Sequence, residues 1–288
     1  MLQAVVNGVV NGGLLALMTL GLSLIINTSR IPNFAHGGFF TWSAFITYNL
    51  ITVYQIDMAA AVILSVLSIT AIGIAVERTI FRFLRGAREE TIFVAATGLL
   101  IAFTNGALLL WGDWPRVIPN PLSNTVIDVF GGVSLTIFRL IMLGTVAATV
   151  IVVSIFLKYT KMGKAIRAVY QDATFSRLVG IDSDRIILLT FAIGTFMAGL
   201  AGSLAGLEFA ISFDMGIPIT IKAFLLVIIG GTGNLLGTVI AAIVFGVVDS
   251  LTITYITSIY NNAVVFTVMM LILLIRPHGI FGREVRRS

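Results

Sequence analysis

The stretch Lys158-Tyr-Thr-Lys-Met-Gly163-Lys-Ala-Ile-Arg167-Ala168-Val-Tyr-Gln-Asp172, continued by Arg177-Leu-Val-Gly180-Ile181-Asp182, stands between two long apolar runs, Ser134–Leu157 and Ile186–Leu207. From Lys158 to Arg185 there are six basic and three acidic residues, in a chain that is 58% hydrophobic and 11% charged. Such a segment cannot lie in hydrocarbon, where a single charge at the centre of a span costs about 2.5–3.5 kcal/mol. Each flanking run is long enough to cross a hydrocarbon core ~30 Å thick as a helix. The segment is therefore a water-facing loop between two spans, predicted as a short surface helix, a glycine turn and a second helix start. Lys158, Lys161, Lys164 and Arg167 lie three apart as a loose basic stripe, and Ala165, Ile166, Val169 and Tyr170 supply apolar surface. Two roles fit such a helix. It can rest on anionic headgroups, or it can dock a soluble partner and carry force from it into the spans.

Working outward, Val5–Asn27 reads as a span running inward to Arg30, where Ile31-Pro32 breaks the helix. Leu2–Asn27 has neither a basic leader nor a small-residue cleavage site, so it is expected to be a retained span. Asn33–Asn49 returns outward, Met58–Glu77 goes in, Arg78–Glu90 is a cytoplasmic loop and Thr91–Trp111 goes out. Gly112–Gly132, with Asp113, Pro115, Pro119, Pro121 and Asp128, fits an external loop. Ser134–Leu157 then goes in and Ile186–Leu207 out. Ile219–Val248 is too long for one simple span and carries Gly230-Gly231-Thr232-Gly233-Asn234 at its centre, which predicts two shorter helices meeting at a glycine break. Tyr255–Ile275 returns inward and ends at Arg276-Pro277. The expected fold is an all-α integral membrane protein, a polytopic bundle of about eight to ten membrane segments including glycine-broken helices. Residues 1–288 read as a single transmembrane domain with its loop at 158–185, and no separate soluble domain.

The net charge of +5 has a positional explanation. Fifteen of the eighteen Lys/Arg fall at Arg30, Arg78–Arg88, Lys158–Arg185 and Arg276–Arg287. The positive-inside rule assigns these to the cytoplasm, with the N-terminus outside and the C-terminus inside. The basic excess is thus an orientation signal, and nucleic acid is not an expected partner. Cysteine is absent, which excludes disulfides and thiol chemistry, and two histidines are too few for a histidine-based metal site. No nucleophile has an evident base, so the chain does not read as an enzyme. Arg139, Glu208, Lys222 and Asp249 lie in or near spans and are placed at the external ends, where their heads snorkel to water. Small residues recur at Gly194, Ala198, Gly202 and Gly206, and at Gly8, Gly12 and Ala16, giving faces on which helices approach closely.

Two segments combine glycine with polar residues inside this apolar chain. Asn33–Gly38 implies irregular backbone near the membrane, tolerated only when buried in protein or lining a wet cavity. It fits a tight interfacial turn or part of an inner pathway. Gly230–Asn234 lacks the Gly-Lys-Ser/Thr ending of a phosphate loop. It fits a packing turn or a pathway element whose new helix would aim its positive end at the lumen.

The pattern Gly163-x3-Arg167-Ala168-x3-Asp172, followed by Gly180-Ile181, resembles the coupling-loop signature of ATP-binding-cassette importer permeases, closest to the branched-chain amino acid permease family. Asn33-Phe34-Ala35-His36-Gly37 resembles that family's motif after its first span. Gly230-Gly231-Thr232-Gly233-Asn234-x2-Gly237 resembles its late glycine motif, and Arg276-Pro277-x-Gly279-x-Phe281-Gly282 its C-terminal tag. Ser176 departs from the pattern, where alanine is expected. The resemblance implies a permease pairing with a second, related or identical permease, two ATP-binding subunits beneath, and a periplasmic or extracellular substrate-binding protein. Gly163, Arg167, Ala168, Asp172, Gly180 and Ile181 would carry the contact with the ATP-binding subunit. Asn33, His36, Gly37, Gly230, Gly231, Gly233 and Asn234 would be candidates for the translocation pathway. No cofactor is expected on this chain; ATP and Mg would sit on the partner subunits, and membrane lipid would surround the spans. The rival reading is a standalone ion-coupled transporter or channel.

Overall fold

Each apolar run becomes a helix. The computed structural model describes residues 1–123, 125–130, 133–231, 233–256, 260–276 and 279–280. Thr232, Pro277, Phe281 and Gly282 of the motifs above lie outside the described residues. In chain order come α1 (Leu2–Ser29), α2 (His36–Thr52), α3 (Met58–Val76) continued by a π-helical turn (Glu77–Phe81), and α4 (Glu89–Trp111). Strands β1 (Val126–Phe130) and β2 (Val133–Thr136) precede α5 (Ile137–Tyr159). The loop helices are α6 (Lys161–Gln171) and α7 (Ala173–Leu178). Then follow α8 (Ser183–Glu208), α9 (Gly216–Ile229), α10 (Leu235–Tyr255) and α11 (Asn261–Ile275). Six of these are long and apolar enough to cross a membrane: α1, α3 with its π turn, α4, α5, α8 and α10. Helices α2, α9 and α11 are shorter, at 17, 14 and 15 residues. The protein is an all-α polytopic membrane protein.

The expected external loop is only partly a loop. Val126–Phe130 of that loop pairs antiparallel with Val133–Thr136, at the start of the expected span Ser134–Leu157, with Val126 opposite Thr136 and Ile127 opposite Leu135, so that α5 begins only at Ile137. Gln3 receives the hairpin's return strand: its Nε2 donates to the Ser134 carbonyl (2.9 Å) and its Oε1 accepts from the Ser134 amide (2.9 Å).

The described chain divides into two compact units. One comprises Leu24–Pro119 and Ala148–Thr220, the other Met1–Ser23, Asn120–Ala147 and Ile221–Ser288. In the first, α8 is sandwiched between α2 and α3. A Cβ on Gly202 would strike the backbone of Phe40, and one on Gly206 would touch Ala44 Cβ at 3.0 Å. The small face of α8 read from the sequence is therefore where α2 lies. On the α3 side, Gly73 faces Thr195 and Gly199 faces Ile69. At this close approach hydroxyls meet: Ser43 Oγ stands 2.8 Å from Ser203 Oγ and 3.0 Å from Ser65 Oγ, and donates to the Gly199 carbonyl (2.7 Å). With no hydrophobic drive between helices in lipid, packing of small residues and such interhelical hydrogen bonds hold the unit together.

The second unit is built the same way. Gly8 and Gly12 on α1 face Val247 and Ile243 on α10, and Gly246 faces Gly12 in return. Ser250 Oγ donates to the Ala4 carbonyl (2.7 Å). Lys222 and Asp249, expected as separate interfacial anchors, instead pair across α9 and α10 at 2.7 Å, and Asn261 Nδ2 donates to the same carboxylate oxygen (3.1 Å). A paired charge inside a membrane protein costs far less than a lone one, which is why two residues distant in sequence meet.

Candidate functional site

The loop between α5 and α8 is folded by its own polar side chains. Thr160 caps α6: its Oγ1 accepts from the Gly163 amide (2.9 Å) and donates to the Phe156 carbonyl (2.6 Å). Helix α6 then turns back against the end of α5, so closely that a Cβ on Gly163 would lie 2.6 Å from Leu157 Cα. The Arg167 guanidinium donates to the Leu157 carbonyl. That carbonyl belongs to the last turn of α5, where helix geometry leaves acceptors without partners and favours a cation. Gly163, Ile166 and Val169 are buried, and Lys158, Lys161, Lys164 and Arg167 are exposed, so the basic stripe faces outward as read.

Asp172 ends α6 and begins α7. Its amide donates to the Ala168 carbonyl (3.0 Å), and its Oδ1 accepts from the amides of Thr174 (2.8 Å) and Phe175 (2.9 Å). Gly180 reverses the chain after α7 at φ 85°, a left-handed conformation glycine adopts without a Cβ penalty. The Ile181 amide closes the turn on the Ser176 carbonyl (2.9 Å). Ser176, at the position where alanine was expected, is buried. The six coupling candidates Gly163, Arg167, Ala168, Asp172, Gly180 and Ile181 thus lie together in one loop, and their contacts described above shape the loop itself.

What the loop presents is different. Phe175, Leu178 and Val179 are 63%, 78% and 62% exposed, with exposed Arg177 between them in the sequence and exposed Lys164 and Arg167 on the preceding helix. Sequence reasoning passed over them because it followed the glycines and charges. The signal was there: three large apolar residues within six positions of the most charged segment.

A second polar constellation fixes the loop's far end. Arg85 forms ion pairs with Glu77, whose side chain is 2% exposed, and with Asp184 (2.7 Å); Arg177 also reaches Asp184 (3.2 Å). Glu77 opens the π turn, its carbonyl accepting from the Arg82 amide five residues on (2.7 Å). The 77–88 connection is thereby tied to α7 and α8.

The pathway candidates fall in both units. Asn33 and His36 are buried between α1 and α2, and the two polar atoms of the Asn33 amide have no hydrogen-bond partner among the described residues. Gly37 faces the backbone of Gly216 and the side chain of Thr220 at the start of α9, a crossing no larger residue would permit. In the other unit, Gly230 faces the backbone of Thr238, and Gly231 and Gly233 take φ 85° and 90°. Asn234 caps α10, its Oδ1 accepting from the Gly237 amide (3.0 Å). The described part of the C-terminal tag closes this turn: the Ile280 amide donates to the Ile229 carbonyl (2.7 Å), and Gly279 packs on Ile228 and Ile229.

The described residues thus form a polytopic helical membrane protein with a structured basic loop and glycine-broken spans. The chain belongs to the family described as branched-chain amino acid transport system, permease component, which matches residues 4–274. It is 30% identical to the high-affinity branched-chain amino acid transport system permease protein LivH of Salmonella typhimurium, over 98% of this chain and 96% of that protein. The corresponding permease protein BraD of Pseudomonas aeruginosa is likewise 30% identical, over 98% and 96%. A probable branched-chain amino acid transport permease of Methanocaldococcus jannaschii is 23% identical over 97% and 92%. Among solved structures, PsaBC from Streptococcus pneumoniae in complex with Fab is similar in fold, with TM-score 0.53 and 13% identity over 93% of this chain and 89% of that chain.

Proposed function

We propose that this chain is the transmembrane permease subunit of an ATP-binding-cassette importer for branched-chain or related amino acids. The observation that carries the reading is the exposed Phe175–Leu178–Val179 surface on a water-facing loop of a family permease. An exposed apolar patch on a basic, water-facing loop has the composition of a protein interface rather than of a solvated connector. ATP and Mg reside on two ATP-binding subunits, each received by one such loop; this chain hydrolyses nothing. A second permease, related or identical, completes the pathway, and a substrate-binding protein delivers from outside. The distribution of basic residues supports an N-terminus outside and a C-terminus in the cytoplasm.

Coupling then follows from the loop's internal ties. Closure of the ATP-binding subunits displaces α7. The displacement passes to α5 through Arg167 and Gly163, and to α3 and α8 through Asp184, Arg85 and Glu77. Asn33, His36, Gly37, Gly230, Gly231, Gly233 and Asn234 are the sites where helices can part without losing backbone bonds of a continuous span. The unpartnered Asn33 amide favours a polar pathway wall at the first of these.

The test is purification of the permease with its ATP-binding subunits, for wild type and for Phe175→Asp with Leu178→Asp. Removing two central anchors of about 2 kcal/mol each, roughly thirtyfold apiece, reduces association by up to about a thousandfold, with the permease still monodisperse. The rival, a standalone ion-coupled carrier, would use the intramembrane Lys222–Asp249 pair. It is the correct reading if no ATP-binding subunit accompanies the wild type and amino acid uptake follows an ion gradient without ATP.

A further inference from the structure

The helix ends that carry the Arg85 network enclose a cleft of about 480 Å³, lined by Glu77, Arg78, Arg82, Arg85, Asp184 and Arg185 among others. Its acids are already engaged: Glu77 and Asp184 by Arg85, and Asp182 by Arg185 (2.8 Å). Arg78 and Arg82 are exposed and have no carboxylate partner among the described residues. The cleft therefore presents two uncommitted guanidinium groups, a donor arrangement suited to a phosphate oxygen.

A second hollow, of about 380 Å³, lies in the same unit and is lined by Val152, Val153, Phe156, Leu189, Ile193 and Phe196. Thr70 also borders it, but its hydroxyl is bonded to the Val66 carbonyl (2.7 Å), leaving its methyl to the hollow. The two hollows share the α3 and α8 walls. On α8 the cleft takes Arg185 and Leu188, and the hollow takes Leu189, Ala192 and Phe196, a run at three- and four-residue steps along one side of the helix. On α3 and its π turn, Thr70 borders one and Glu77 the other. From Arg185 to Phe196 the helix rises roughly 16 Å. That matches half of a hydrocarbon core of ~30 Å, the depth of one leaflet.

We infer that cleft and hollow together form a binding site for a single anionic glycerophospholipid, its phosphate between Arg78 and Arg82 and an acyl chain along the groove between α3, α5 and α8. A charged cleft beside a hydrocarbon-lined groove on the same side of α8, together about one leaflet deep, is complementary to an amphiphile. It does not suit a soluble anion, which would leave the groove empty, nor a soluble protein segment, which would have to enter at acyl depth. The inference is independent of how transport is powered. A lipid held there would brace α3 against α8 beside the Arg85 network, so loop position would respond to headgroup charge.

The test is native mass spectrometry of the full-length permease, stripped of lipid in detergent and titrated with dioleoylphosphatidylglycerol or dioleoylphosphatidylcholine. One phosphatidylglycerol binds with clear preference over phosphatidylcholine. Arg78→Gln with Arg82→Gln weakens that binding by roughly thirtyfold, each cation near an anionic surface contributing a factor of about five. Ile193→Trp, which fills the groove and leaves the arginines in place, also abolishes it; if the double variant fails to fold, this variant and Arg78→Gln alone carry the test. Equal binding of the two lipids, or unchanged phosphatidylglycerol binding in the variants, overturns the inference. So does full displacement by inorganic phosphate, which would make the cleft a soluble-anion site. Loss of ATP-binding subunits from the double variant with lipid binding intact assigns the cleft to a protein partner and overturns it equally.

Discussion

The loop at 158–185 and the turn at 230–234 are both punctuated by glycine and capped by a polar side chain, yet they solve opposite problems. In the loop, Gly180 reverses the chain with nothing within 4 Å of where its Cβ would be, and the segment before it holds Phe175 and Leu178 out in the open. In the turn, Gly230 faces the backbone of Thr238, and the described end of the chain packs down on Ile228 and Ile229. The same residue type frees a surface in one place and removes a gap in the other. What distinguishes Gly180 from Gly230 is the neighbourhood: the presented turn needs conformational permission, whereas the close crossing at Gly230 needs space, as does Gly163 where α6 meets α5.

The largest effect is expected where the presented loop is anchored. Arg85→Ala leaves Glu77, 2% exposed, without its cation and frees Asp184 from the 77–88 connection. Breaking a buried pair by removing one partner typically costs about 3–5 kcal/mol. The thermal midpoint of the detergent-purified permease falls clearly, and Arg85→Ala with Glu77→Gln recovers a substantial part of it, because no buried charge is then orphaned. A double variant as unstable as the single one would mean that Arg85 acts through packing alone, and that the loop is not held from this side.

Much of this was legible in the sequence. The apolar runs, the proline stop at Ile31-Pro32 and the glycine break at 230–234 give most helix ends to within a few residues, because span length and helix breakers act locally; the last boundary was misread, since α10 runs on to Tyr255 and α11 starts only at Asn261. The order of motifs also placed the chain in its family. The π turn at Glu77–Phe81 was not legible, since its cause is tertiary: Glu77 is drawn inward to Arg85, eight residues on, which a carboxylate on α8 also holds. The Lys222–Asp249 pair was missed for the same reason. The hairpin at Val126–Thr136 did carry a local signal, Val-Ile-Asp-Val-Phe before Gly131-Gly132, which the surrounding prolines and charges masked. Phe175, Leu178 and Val179 were overlooked because glycine and charge patterns mark how a loop folds, whereas its outward side chains mark what it meets.

On the buried side of the comparison, Gly230→Ala adds one methyl where Thr238 N would stand 2.6 Å away. Backbone cannot yield as a side chain does, so overpacking of about 1–3 kcal/mol follows. A thermal-shift assay on the purified permease reads this as a lowered midpoint. The matched change in the loop tip, Leu178→Ala, leaves the midpoint where it was, because that side chain is 78% exposed. Equal effects at the two positions would erase the distinction between a filled break and a presented surface.

The smallest effect separates the loop's frame from its contact surface. Asp172→Ala removes the acceptor for the amides of Thr174 and Phe175, the cap on which the six residues of α7 depend. Losing an aspartate N-cap costs about 1 kcal/mol, close to a fivefold change in a local equilibrium. Amide exchange across residues 173–178 accelerates by that factor while the spans exchange as before. Association with the ATP-binding subunits weakens to a similar degree, since the partner must then order α7 on contact. Asp172→Asn restores both, because an asparagine oxygen caps nearly as well without the charge. If the asparagine variant instead binds as poorly as the alanine one while its exchange is normal, the carboxylate itself meets the partner, and Asp172 belongs to the presented surface along with Phe175 and Leu178.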